Sequence, residues 1–434
     1  MSVNNSQVIL PNHSVEQNNA SAPVHQHEVR LIWGLSIASV VVYINLYLVQ
    51  GILPLIAGTF DVAIKHATLL LSVTSFSMAF SLLFYAVISD RVGRRVPLLI
   101  SLYLLLASDL LMIFVSDFSQ LLALRLLQGV LLAAVPAIAM AYFKDELSKG
   151  AMLKAGAVYI AANSLGGIAG RLIGGALSLE LHWQQVIGVI LLLSLLGVIA
   201  VHRLLPSQSI NTGSSTLSRL DKKPMSWLSS ALDDFRGFGL HLNDVTLRSI
   251  YLVGGLAFLV MVNQFSYIQL HLMAAPFNWG RFQVTLIFLC YLSGTFASFY
   301  SGGWIVRFGR ETVFRLALAA MFFGGLVSLM NTILAICLGF LMSSFGFFLL
   351  HSGCNAWVAQ RAKFHRAKAT ALYLCCYYLG ASIGGPYLMP FWQHWGWRGV
   401  VFASSLVLVL LAWVLFKLTR TIPFESSSTK LAAS

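Results

Sequence analysis

The chain alternates long apolar runs with short polar links. Runs of roughly 18 to 27 residues, the length a helix needs to cross the hydrocarbon, fall at 31–57, 67–88, 96–115, 118–142, 152–178, 185–205, 247–271, 282–303, 312–330, 333–358, 368–390 and 398–418. In lipid only helices and closed barrels satisfy their own backbone polar groups. Runs this long and continuous predict helices, hence an all-α polytopic membrane protein with twelve transmembrane helices. The links at 116–117 and 331–332 are short enough for tight helical hairpins, and 206–246 is the long polar link. Residues 1–29 are rich in Asn, Ser and His with no apolar core before Leu31, which reads as a disordered tail and not as a cleaved signal.

Composition agrees with the pattern. Only 10% of the 434 residues are charged and 58% are hydrophobic, whereas a soluble domain carries roughly 25% charged residues. A net charge of +13 would point to nucleic acid in a soluble protein, but topology accounts for it here. With the amino terminus inside, the inner tails and loops take the basic clusters at 91–95, 144–154, 203–248, 307–315, 361–368 and 417–430. The outer loops then take only Lys65, Arg281 and Arg398, and Arg125 and Arg171 fall inside spans. This asymmetry predicts two cytoplasmic termini and excludes a nucleic-acid partner. All five cysteines lie in apolar runs, where thiols pack as small hydrophobes. Neither a disulfide, a metal nor another cofactor is expected.

The halves repeat. Ser89-Asp90-Arg91-Val92-Gly93-Arg94-Arg95 recurs as Ile305-Val306-Arg307-Phe308-Gly309-Arg310-Glu311, and Tyr159, Gly166, Gly170 and Trp183 recur as Tyr373, Gly380, Gly384 and Trp397. Two six-helix bundles related by an axis along the membrane normal follow: 30–205 and 247–418, joined by a cytoplasmic linker at 206–246 and followed by a tail at 419–434. Part of the linker, 225–240, has the pattern of an amphipathic surface helix.

Several residues carry chemistry. In the loop after the second run, Asp90 can pair with an arginine across an interface, Gly93 permits the sharp turn, and Arg91, Arg94 and Arg95 stay at the headgroup layer. Arg307, Gly309 and Arg310 repeat it. Span four holds Arg125-Leu-Leu-Gln128-Gly129, and span five holds Gly166, Gly170-Arg171 and Gly174-Gly175. The first loop resembles the signature loop of the major facilitator superfamily. Arg125 to Gly129 resembles its intramembrane Arg-x-x-Gln-Gly motif, and the span-five glycines resemble its antiporter motif, with Arg171 where that motif has proline. Together with His351-Ser352 and Tyr373 to Gly384, the chain resembles the acriflavine-sensitivity (YnfM-type) family of bacterial exporters over roughly residues 30 to 420.

A guanidinium inside a span faces a wet cavity or a partner, and the resemblance implies a role for Arg125 in substrate binding or proton coupling. Asp109, eight residues before the hairpin residue Asp117 where Arg125 is eight after, should lie at similar depth. As the carboxylate well inside a span, it is a candidate to exchange protons. His351 competes, since imidazole titrates near neutrality. Arg171 either snorkels outward or lines an outer vestibule. Asn45, Tyr47 and Gln50 in span one, Gln128 in span four, Asn263, Gln264, Tyr267 and Gln269 in span seven, and Tyr377 in span eleven are candidates to line a substrate cavity or to hydrogen-bond between helices. Gly166, Gly170 and Gly174, with Gly380, Gly384 and Pro386, offer small faces on which one bundle would rock against the other.

The expected function is secondary transport in the bacterial inner membrane. The favoured form is proton-coupled export of small molecules or drugs by alternating access, and uptake by proton symport is the alternative. A membrane-embedded enzyme is disfavoured because no converging catalytic groups share a depth. The absence of a P-loop motif leaves an ion gradient as the energy source. The expected partners are a small-molecule substrate, protons and the bilayer, around a monomer.

Overall fold

A computed structural model describes residues 13–206, 236–362, 364 and 366–421. The expected tail, linker and carboxy-terminal segments within 1–12, 207–235 and 422–434 lie outside the described residues. The helices are α1 (His13–Thr59), α2 (Ile64–Ala67), α3 (Leu69–Val92), α4 (Arg95–Ile113), α5 (Phe118–Leu132), α6 (Ala134–Glu146), α7 (Lys149–Leu177) and α8 (Trp183–Leu204) in the first half. The second half has α9 (Val245–Met273), a 3-10 segment (Gln283–Cys290), α10 (Tyr291–Phe308), α11 (Arg310–Val327), α12 (Ile333–Arg361) and α13 (Arg366–Thr421). Each of the twelve apolar runs lies mostly in helix, with the ends of several, such as 114–115 and 328–330, in turns. Nine of the described helical stretches are long and apolar enough to cross a membrane. One of them, Arg366–Leu418, is 53 residues, about 80 Å at about 1.5 Å per residue. A positive-φ break at Gly396 (φ 55°) divides it between the last two predicted spans.

The ends of the helices have local causes. At the two tight hairpins Asp117 accepts from the Ser119 N–H at 2.5 Å and Thr332 from the Ala335 N–H at 3.3 Å, each satisfying an orphan donor of the next helix. Gly93 (φ 97°) and Gly309 (φ 81°) end α3 and α10. A Cβ would touch nothing within 4 Å at either position, so conformation and not space requires glycine there. Span four divides at Ala133 into α5 and α6, because Pro136 has no N–H to offer the Leu132 carbonyl one turn back.

The helix begins at His13, earlier than the tail expected at 1–29 allows, and has partners from His27 onward. His27 bonds Glu146 at 3.2 Å, Glu28 accepts from the Ser148 N–H at 2.8 Å, and Arg30 donates to the Arg203 carbonyl at 2.7 Å. These contacts, with Arg94–Asp145 at 2.9 Å, gather the basic loops of the first half at one end of the molecule. Arg361–Asp244 at 2.9 Å and Arg310–Gln360 at 2.8 Å do the same in the second half. This is the basic end. At the other, Phe60 packs on Phe118 and Trp183, and Trp397 donates to Ser328.

Helices pack in two groups that match the sequence repeat. In the first, α7 and α8 lie on α1, and α5 on α3. In the second, α13 lies on α9, and α12 on α10 and α11. Between the groups, α3 meets α13 and α7 meets the 3-10 segment and α10. Large apolar side chains such as Phe84, Phe114, Leu196, Phe299 and Leu334 point outward. This suits a lipid surface and would be costly in water.

Candidate functional site

Asp109 and Arg125 do face each other's side of the first bundle, and Gln128 joins them. Gln128 Nε2 donates to Asp109 Oδ1 at 2.6 Å and to Ser108 Oγ at 3.2 Å, while Gln128 Oε1 accepts from Arg125 Nη1 at 2.6 Å. Arg125 then reaches α1, donating to the carbonyls of Asn45 and Leu46 at 3.1 Å each. Asp109 and Arg125 are each 2% exposed. Asp109 Oδ2 and Arg125 Nε have no hydrogen-bond partner among the described residues. A charged pair is thus held in the bundle through a neutral amide, with one spare acceptor and one spare donor. Buried charge persists only when paired and bonded, and this chain ties α4 to α5 and α5 to α1.

A second polar cluster lies nearer the non-basic end. Arg171 is 1% exposed, and so neither snorkels nor lines an open vestibule in this conformation. Its Nε donates to Gln50 Oε1 at 2.8 Å and Nη1 to the Gly167 carbonyl at 2.8 Å. The guanidinium carbon stands 3.8 Å from the Tyr47 ring centroid and 4.6 and 4.8 Å from those of Phe288 and Tyr291. Gln50 continues across the interface, donating to Ser266 Oγ at 2.7 Å. Tyr43 and Tyr378 hydroxyls meet across it at 3.1 Å.

The other candidates divide. Asn45 uses its amide within the bundle, to the Val41 carbonyl at 2.9 Å and Ser194 Oγ at 2.8 Å. Asn263 donates to the Leu259 and Ala381 carbonyls and Tyr267 to the Gly385 carbonyl, tying α9 to α13. Gln264 is buried, and Gln269 donates to the Phe265 carbonyl at 3.2 Å. His351 shares a 2.9 Å hydrogen bond with the Tyr373 hydroxyl and lies 4.7 Å from the Tyr377 ring, which stacks on Phe258 at 3.7 Å.

The glycine faces require a correction. A Cβ on Gly166, Gly170 or Gly174 would strike Val40, Ile44 or Leu48 of α1, and one on Gly380 or Gly384 would strike Gly255 or Leu259 of α9. These faces pack helices within each bundle, not one bundle on the other. Pro386 is exposed on the outer surface. The glycines turned to the other bundle are Gly175, against Thr285, and Gly385, against Ser72. Each stands next to a second glycine, a doubling that marks a helix with two close neighbours.

At the basic end Asp90 pairs with Arg94, which also donates to Asp145 at 2.9 Å and Ser89 Oγ at 2.8 Å. The repeat is weaker. Arg310 meets the neutral Gln360 and stands 4.4 Å over Trp357, and Arg307 lies 5.1 Å from Phe308, since Val306 occupies the place of Asp90.

A family profile, Major Facilitator Superfamily, matches residues 35–271 and again 250–433. The chain belongs to the major facilitator superfamily. It is 32% identical over 378 residues to the Uncharacterized MFS-type transporter YybF of Bacillus subtilis, covering 87% of this chain and 90% of that one. It is also 31% identical over 392 residues to the Inner membrane transport protein YnfM of Escherichia coli, covering 90% and 91%. The crystal structure of the human organic anion transporter MFSD10 (TETRAN) has the same fold at a TM-score of 0.65 and 18% identity, covering 91% of this chain and 99% of that one. As a member of this superfamily the protein is a multi-pass membrane transporter and not an enzyme.

Proposed function

We propose that this superfamily member is a proton-coupled exporter of small molecules, with twelve spans and both termini on the cytoplasmic side of the bacterial inner membrane. Substrate binds between the bundles, and the bundles rock to open either side in turn. The observation that carries the proposal is the Asp109–Gln128–Arg125 chain ending on the carbonyls of α1. It links a buried carboxyl to the helix whose Gln50 and Tyr43 touch the other bundle. Protonating Asp109 removes the charge that balances Arg125, which frees Arg125 to change its hold on α1. The test is Asp109→Asn in proteoliposomes. Substrate exchange down its own gradient is expected to persist while proton-driven accumulation disappears. Intact proton-driven accumulation in the variant would remove Asp109 from the coupling.

Uptake by proton symport is the second reading, and Arg171 favours it. Arg171 stands where the resembled antiporter motif has proline. Accumulation inside energised cells separates uptake from export.

A further inference from the structure

Arg171 is a guanidinium sealed between the two bundles, and among the described residues it has no carboxylate within ion-pair distance and no partner for Nη2. We propose that Arg171 is the anchoring point for the carboxylate of a small aromatic anion, a substrate class that the transporter reading leaves open and on which this inference builds. Burying a charge against neutral acceptors alone is costly. Arg171 leaves a terminal guanidinium nitrogen unused in a cage of three rings.

The repeat shows that bundle closure does not itself need a cation here. The relation that carries Gly170 to Gly384 carries Arg171 to Gly385, and the one that carries Gly93 to Gly309 carries Ser72 to Phe288. The two contacts are therefore symmetry mates. Gly385 packs against Ser72 on one side of the interface, and Arg171 packs against Phe288 on the other. Small neutral residues close the first, so packing alone does not demand the charge at the second.

The cage is also divided between the moving parts. Tyr47, Gln50 and the Gly167 carbonyl belong to the first bundle and stay with Arg171. Phe288 and Tyr291 belong to the second and leave when the bundles part at the non-basic end. Arg171 lies 22 residues beyond Lys149 at the basic start of α7 and only six before its end at Leu177, so it would open to the non-basic side alone. A carboxylate accepting from Nη2 supplies the missing charge-assisted bond. A ring attached to it takes up the aromatic faces that the guanidinium already uses. The same charge disfavours a cationic substrate at this point.

The experiment uses the full chain in lipid nanodiscs with 1-naphthoate, its neutral amide 1-naphthamide, and 1-naphthylmethylammonium as probes. Binding is read by equilibrium dialysis and by thermal shift. Naphthoate is expected to bind and to raise Tm, with the amide and the ammonium at least tenfold weaker. Arg171→Gln is expected to weaken naphthoate binding about ten- to hundredfold, the loss of one hydrogen bond to a charged group, and to leave the amide's binding unchanged. Arg171→Lys, which keeps the charge, should restore part of it and guards against a folding defect in the first variant. Equal binding of acid and amide, no binding of naphthoate to the wild type, or unchanged binding in Arg171→Gln would each overturn the proposal. Binding without movement across a proteoliposome membrane would sink the transporter reading and leave the anion site. Movement of neutral or cationic compounds without naphthoate binding would do the reverse.

Discussion

Replacing Gln128 with leucine removes the joint between Asp109 and Arg125 while nearly keeping volume. Two bonds to charged groups are lost, each 2.6 Å long, together with the 3.2 Å bond to Ser108. In soluble proteins a bond to a charged group contributes about 1.5–3 kcal/mol, so the two would total about 3–6 kcal/mol. Side-chain bonds within bilayers average nearer 0.6 kcal/mol with a ceiling of about 1.7, which gives about 1–3 kcal/mol. The larger figure is favoured, because Asp109 would be left with both carboxyl oxygens unpartnered in a buried site. Arg125 would keep its two α1 carbonyls. The expected result is a lowered Tm in detergent and loss of proton-driven transport. Gln128→Glu supplies the contrast: it keeps an acceptor for Arg125 and loses the donor to Asp109, so the fold should survive while coupling fails. Wild-type Tm and wild-type proton-driven transport in Gln128→Leu would refute the relay.

Other consequences follow from particular contacts. Gly380→Ala would drive a Cβ into the Gly255 carbonyl oxygen; the overpacking should cost about 1–3 kcal/mol in thermal unfolding, while Gly302→Ala, with nothing within 4 Å, should not lower Tm. Arg125→Ala is expected to abolish transport, and transport at the wild-type rate would make that residue dispensable. Asp90→Ala breaks the pair with Arg94 and should slow turnover with little change in substrate affinity, as measured by initial rates across substrate concentrations. Asp244 carries a pH prediction. Burial raises its carboxyl, but the Arg361 guanidinium and the N–H groups of Leu247 and Thr246 outweigh burial and hold it below the usual carboxylate value. Its contribution to stability is present above the unfolded-state value, roughly pH 4, and is lost as pH falls through the lower folded value. Asp244→Asn should therefore destabilise the fold at pH 7, by less than about 1 kcal/mol for so exposed a pair, and the resulting Tm gap to wild type should close in acid. A gap that widens in acid would reverse the sign of the argument.

Sequence pattern made the helices legible because lipid leaves the backbone so few choices. The apolar runs became largely helix, with capping residues at the two tight hairpins and Pro136 at the division of span four. The Asp109–Arg125 relation was legible as shared depth, counted from the hairpin at Asp117. That Gln128 stands between them was not, since helix rotation sets which faces meet. The glycine faces were read correctly as close-packing surfaces and assigned to the wrong neighbour: small residues announce that a backbone approaches, not which one. Arg171 was the least legible. A buried cation and a snorkelling one leave the same letter in the sequence, and the rings that enclose it, Phe288 and Tyr291, come from the other half of the chain.

On the proposed mechanism a proton gradient drives a small molecule across the membrane through the Asp109 relay. The direct measurement is proton flux, read by an enclosed pH dye, in proteoliposomes given a pH gradient and a panel of cationic, neutral and anionic compounds. Arg125→Ala and Asp109→Asn serve as controls. The account predicts that one class evokes proton flux opposite to its own movement in the wild type and in neither variant. Flux in the same direction as the compound would replace export with uptake, and compound-evoked flux undiminished in both variants would contradict the account.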